Sequence, residues 1–133
     1  MNIKAFMHQP IGEEKEVKLN RFEEPFVIET ISETENERLK KVATTTRISK
    51  SGNRVKDLDT DKYGDLLLTR CVKSPDLQNA ELQAFFGTDG DASATLKAML
   101  LAGEYSKLTQ DVLELNGFGK DDSEEALKEE VKN

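Results

Sequence analysis

The sequence predicts a mainly α fold of the α+β kind: about five helices packed as irregular hairpins, with a small N-terminal β-hairpin at one edge. Three observations carry that prediction. Beyond residue 58, apolar side chains recur three and four apart, the period of one helix face. Pro75, Gly87, Gly103 and Gly117 punctuate those stripes where helices would stop. Before residue 32 the pattern is instead short and rich in β-branched residues, with a break at Pro25.

Taken in order, residues 1–16 mix Ile3, Phe6 and Met7 with Pro10, Gly12 and an acidic run, and read as a flexible arm. Residues 17–118 read as a single helical domain carrying the hairpin. In the hairpin, Val17, Leu19 and Arg21 alternate with polar neighbours. After Glu23-Glu24-Pro25 come Phe26-Val27-Ile28 and then Ile31. A lone hairpin is marginal in water, so it must dock on helices.

Helix one opens on Ser32-Glu33-Thr34-Glu35, a capping box in which hydroxyl and carboxylate each serve the other residue's amide. Acidic residues at its start and Arg38, Lys40 and Lys41 at its end suit the helix dipole. Its apolar stripe of Leu39, Val42 and Ala43 is thin, and Thr44-Thr45-Thr46 weakens it. From there to Asp57 runs a loop, or a second hairpin turning at Ser51-Gly52-Asn53.

The second helix starts at Asp59-Thr60, aligns Tyr63, Leu66, Leu67, Arg70 and Cys71, and ends before Pro75. Asn79 caps a short helix with Leu82, Phe85 and Phe86, closed by Gly87. Residues 91–102 place Leu96, Met99 and Leu100 on one face, with Gly103 in the left-handed position after it. The last helix, residues 104–115, aligns Tyr105, Leu108, Val112 and Leu115, and Asn116-Gly117-Phe118 has the form of a Schellman ending. The tail, residues 119–133, holds six acids, three lysines and three apolar side chains, and reads as acidic and disordered.

The side-chain inventory narrows function. The chain has 133 residues, one cysteine (Cys71), one histidine (His8) and no tryptophan. A cysteine-based zinc site or a disulfide within the chain has no partners, and a nucleophile–histidine pair would have to use His8 in the arm. None of the eight glycines has phosphate-loop spacing. The expectation is a binding protein, not an enzyme, with no cofactor and no metal. No apolar run approaches the ~20 residues of a membrane span, and no secretory leader is visible.

Charge is unevenly placed. The net charge is −7, yet residues 38–56 carry seven basic residues and no acid. Such a patch either steers an acidic partner or is simply a solvated helix end and loop. With no aromatic residue in the segment and an acidic remainder, nucleic acid is not expected as a partner. The candidate partner-binding residues are Arg47, Lys50, Arg54 and Lys56 in this segment. Phe85 and Phe86 complete the set, because two inward-facing rings would overfill so short a helix and one is left as an apolar anchor.

Several blocks, in order, resemble a known family: Glu24-Pro25-Phe26-Val27-Ile28, Ser32-Glu33-Thr34-Glu35-Asn36-Glu37-Arg38-Leu39, Leu58-Asp59-Thr60-Asp61-Lys62-Tyr63, Pro75-Asp76-Leu77-Gln78-Asn79-Ala80-Glu81-Leu82-Gln83, Leu100-Leu101-Ala102-Gly103-Glu104-Tyr105 and Leu115-Asn116-Gly117-Phe118. Together they resemble the XkdN-like tail assembly chaperones of phages and defective prophages of Gram-positive bacteria, across residues 17–118. The basic loop and the acidic tail have no counterpart in that pattern. The resemblance implies a chaperone in the host cytoplasm that keeps the tape measure protein soluble until tail tube subunits polymerise, with the tube protein as a second partner. It also implies absence from the finished virion. The alternative is a minor structural or adaptor protein retained in the tail. The sequence is silent on oligomeric state.

Overall fold

The computed structural model describes residues 1–118, so the expectation of an acidic disordered tail lies outside the described residues. A short 3₁₀ turn, Ile3–Phe6, precedes ten regular elements. These are β1 (Glu14–Val17), β2 (Phe26–Glu29), α1 (Glu33–Val42), β3 (Thr44–Ile48), β4 (Arg54–Leu58), α2 (Thr60–Cys71), β5 (Val72–Ser74), α3 (Ala80–Phe86), α4 (Ala92–Met99) and α5 (Ala102–Leu115).

The five helices and the N-terminal hairpin are present, but the mainly α class with one edge hairpin is corrected to α+β with two sheets. The hairpin is part of a three-stranded antiparallel sheet of order β1-β2-β5, and β3 and β4 form a second, two-stranded sheet. The physical reason is local. Val72-Lys73-Ser74 continues directly from α2, and its chain turns extended at Val72 (ψ 106°), where it pairs with Ile28. Three residues are too few to show a period of their own. The first strand also begins earlier than its apolar residues suggest, at Glu14, within the segment read as an arm.

The core lies between the three-stranded sheet and the helices. Phe26, Ile28, Leu68, Leu96, Leu108 and Val112 are fully buried, with α5 across β1 and β2 and α2 central among α1, α4 and α5. Ion pairs tie the layers at their edges. Arg21 forks onto Glu104 at 2.6–3.2 Å. Asp111 on α5 receives Lys107 at 3.2 Å and reaches Lys15 of β1 at 3.9 Å.

The helix ends show which local readings hold. Ser32 accepts from the Glu35 amide at 3.3 Å, but the Glu35 carboxylate does not complete the box, because Arg70 takes it at 2.7 and 2.8 Å. Asn79 caps α3 through the Leu82 amide at 2.9 Å. Phe118 N–H bonds Leu113 O at 2.8 Å and Gly117 N–H bonds Glu114 O at 3.1 Å, the two bonds of a Schellman ending, with Gly117 at φ 96°. Gly103 is different: it lies in the first turn of α5, not after α4. The break between these helices is the extended pair Leu100-Leu101, and Glu104 steadies the new start by accepting from the Leu101 amide at 2.8 Å.

Candidate partner-binding surface

The basic segment forms a second hairpin, not a loop. Its base is tied down where Asp59 N–H bonds Ala43 O at 2.9 Å, Thr44 Oγ1 donates to Lys40 O at 2.7 Å, and Leu58 packs on the core. Its tip turns through Ser49-Lys50-Ser51-Gly52-Asn53, with Gly52 at φ 85° and Ser49 bonded to both Asn53 and Gly52. A turn with positive φ is where glycine costs least.

The four basic candidates do not form one patch. Arg47 lies diagonally across from Asp57 and donates to its carboxylate at 2.6 Å, so its charge is locally balanced. Arg54 and Lys56 point to the opposite face, because side chains alternate along a strand and Ile48 pairs with Arg54 while Thr46 pairs with Lys56. Lys50 sits at the exposed tip. Phe85 is 81 % exposed, whereas Phe86 packs partly against the core and meets Phe85 edge-on at 4.9 Å. One ring of the pair is thus available, on a helix that packs against α4.

The N-terminal segment, read from sequence as an arm, leaves Ile3, Phe6, Met7 and Ile11 in water. One feature escaped the sequence reading. A cleft of about 430 Å³ is lined by Leu39, Leu66, Val72, Leu77 and Ala92, with Arg70 at its side. The Arg70 guanidinium is held by Glu35 and by Glu29 at 3.3 Å. That hydrogen bond holds the Glu35 carboxyl below its ordinary range. The chemistry is that of an ion-paired joint. Beside it, Cys71 is fully buried, and desolvation pushes its thiol up to about 11. Tyr105 donates to Asp65 at 2.6 Å, and Lys97 pairs with the same carboxylate at 2.5 Å. Among the described residues, no group of three His, Cys, Asp or Glu side chains could hold a metal ion, and no helix is long and apolar enough to cross a membrane.

Fold and surface together define a small α+β protein with a closed core, a projecting basic ribbon and isolated apolar side chains in solvent. The family described as phage XkdN-like tail assembly chaperone protein matches residues 3–132, and the chain belongs to that family of phage tail assembly chaperones. The match includes the basic segment, which the six sequence blocks left out. The chain is 29 % identical over 109 residues to the phage-like element PBSX protein XkdN of Bacillus subtilis (strain 168), covering 82 % of this chain and 72 % of that protein. It is equally similar over the same shares to the protein YqbN of the same strain. The crystal structure of YqbN superposes with a TM-score of 0.73 over 89 % of this chain and 98 % of the other, at 23 % identity, which establishes a shared fold.

Proposed function

We propose that this tail assembly chaperone acts by binding the tape measure protein and keeping it soluble until tail tube subunits polymerise around it. It does so without catalysis, in the host cytoplasm, and it stays out of the finished particle. The observation that carries the reading is the set of large apolar side chains left in water by a core that is complete without them: Ile3, Phe6, Met7 and Ile11 on the N-terminal segment and Phe85 on α3. A long helical protein with uncovered apolar faces aggregates, and small, separate apolar contacts hold such a protein weakly enough to be displaced. Methionine, unbranched and polarizable, adapts to many partner shapes, and phenylalanine supplies a large rigid apolar contact. The net charge of −7 supports solubility of the complex.

The test is co-expression with the tape measure protein of the same genome, followed by affinity capture and a comparison of soluble fractions. The expected result is a soluble, co-purifying pair. A tape measure protein that stays insoluble and uncaptured would overturn the reading. Mass spectrometry of purified particles then separates chaperone from tail component, since a chain retained at stoichiometric amounts would be a structural or adaptor protein.

A further inference from the structure

The two faces of the β3–β4 ribbon differ in chemistry. On one, Thr45, Arg47, Val55 and Asp57 share the surface, and the Arg47–Asp57 pair balances its charge. The other carries Thr46, Ile48, Arg54 and Lys56. Ile48 is 74 % exposed and stands directly opposite Arg54. Among the described residues, neither Arg54 nor Lys56 has an ion pair or side-chain hydrogen bond, although acids outnumber bases across the chain. A lone exposed isoleucine would be ordinary. One set beside two uncompensated cations, on a ribbon anchored at its base, is a composite surface.

We propose that this face docks an acidic helical segment of the partner protein, with two carboxylates on Arg54 and Lys56 and one aliphatic side chain on Ile48. The proposal deepens the function given above and rests on it for the identity of the partner. The spacing supports a helix. Arg54 and Lys56, two residues apart on a strand, are separated by roughly 6.7 Å. Carboxylates at i and i+4 of a helix start from Cβ atoms about 5–6 Å apart, and the long cationic side chains take up the difference. An amphipathic helix places an aliphatic residue three or four positions along, beside that acidic pair. Nucleic acid fits less well: the ribbon has no aromatic residue for base stacking, and Ile48 has no apolar counterpart on a phosphate backbone.

The experiment uses the full chain and the co-expressed tape measure protein, captured at low and moderate salt. Arg54→Gln/Lys56→Gln and Ile48→Glu are compared with Lys41→Gln/Lys62→Gln, which removes the same charge from exposed positions off the proposed face. All these positions are solvent-exposed, so circular dichroism and thermal melting should match the unaltered chain. The expected result is about tenfold weaker capture for the first two variants and less than about twofold for the control. Capture unchanged by Arg54→Gln/Lys56→Gln, or weakened equally by the control, overturns the proposal while leaving the chaperone reading intact. No capture even by the unaltered chain overturns that reading and the proposal with it. A short duplex retarded by the unaltered chain but not by Arg54→Gln/Lys56→Gln, with tape measure capture unchanged, would assign the face to nucleic acid and refute the proposal.

Discussion

Replacing Asn116 tests whether one side chain joins the end of the last helix to the connection between β2 and α1. Its Oδ1 accepts from the Ile31 amide at 3.0 Å, and its Nδ2 donates to Val112 O at 2.9 Å and to Cys71 Sγ at 3.6 Å. Asn116→Ala leaves the Ile31 N–H half-buried with no side-chain acceptor, whereas Val112 O keeps the Asn116 backbone N–H at 3.0 Å. The loss is therefore dominated by one orphaned donor, about 2 kcal/mol for a partly buried amide. Melting entropy of about 2.1 cal/mol/K per residue over the described domain converts this to a fall of about 8 °C. Asn116→Asp keeps an acceptor for Ile31 but places a negative charge at the C-terminal end of α5, so it should lose about 1 kcal/mol. Urea unfolding at pH 7, with slopes compared, measures both. Asn116→Ala within about 0.5 kcal/mol of the unaltered chain, or Asn116→Asp less stable than Asn116→Ala, would refute the assignment.

Other predictions are equally direct. Glu35→Gln should cost about 1–2 kcal/mol at pH 7, discounted from a fully buried pair because solvent reaches both partners. The folded carboxyl titrates below its ordinary value of 4.5, so its contribution is complete above that value and is lost as pH falls through the folded pKa. The gap between Glu35→Gln and the unaltered chain should accordingly close in acid unfolding series; a gap that widens below pH 4 would reverse the sign. Cys71, buried and with its thiol raised, should resist iodoacetamide at pH 8 until urea unfolds the chain, and rapid labelling of the folded protein would contradict its placement. Phe85→Ala should leave the melting point within about 2 °C while weakening tape measure capture, whereas Leu108→Ala, fully buried, should lose about 3–4 kcal/mol. Equal destabilisation by the two would show Phe85 to be structural.

Helices were legible wherever capping chemistry and apolar period agreed. Asn79 and Gly87 bound α3 as their side chain and conformation require, and Asn116-Gly117-Phe118 closes α5 with both expected bonds. Local chemistry misled where a distant group competed for it. Glu35 has the right position for a capping box, but an arginine 35 residues away offers a charged, bidentate partner. Gly103 looked like a terminator because glycine often is one, yet the extended Leu100-Leu101 pair had already ended the helix. β5 was hidden by its length and its abutment on α2. In the candidate surface, residue types were legible and their grouping was not: strand register separates Arg47 from Arg54 and Lys56, and no pattern of charge along the chain encodes register.

The distribution of ion pairs explains how so small a core can support projecting parts. Arg21–Glu104, Arg70–Glu35 and Lys15–Asp111 join elements far apart in sequence, and each lies at an edge where sheet meets helix or helix meets helix. Such pairs contribute little apiece in solvent, but they fix the relative placement of elements whose apolar faces supply most of the stabilisation. The ribbon lies beyond this frame. Apart from Leu58 and Thr44 at its base and the half-buried Val55, its strand side chains are exposed, so substitutions at Ile48, Arg54 and Lys56 cost the fold little. Its regular pairing from Thr44–Leu58 to Ile48–Arg54 nevertheless presents Ile48, Arg54 and Lys56 in a defined register. Under the function proposed above, that division has a consequence: contacts made by exposed side chains on a thin ribbon would break one at a time, and the core that positions them would not need to open when a client leaves.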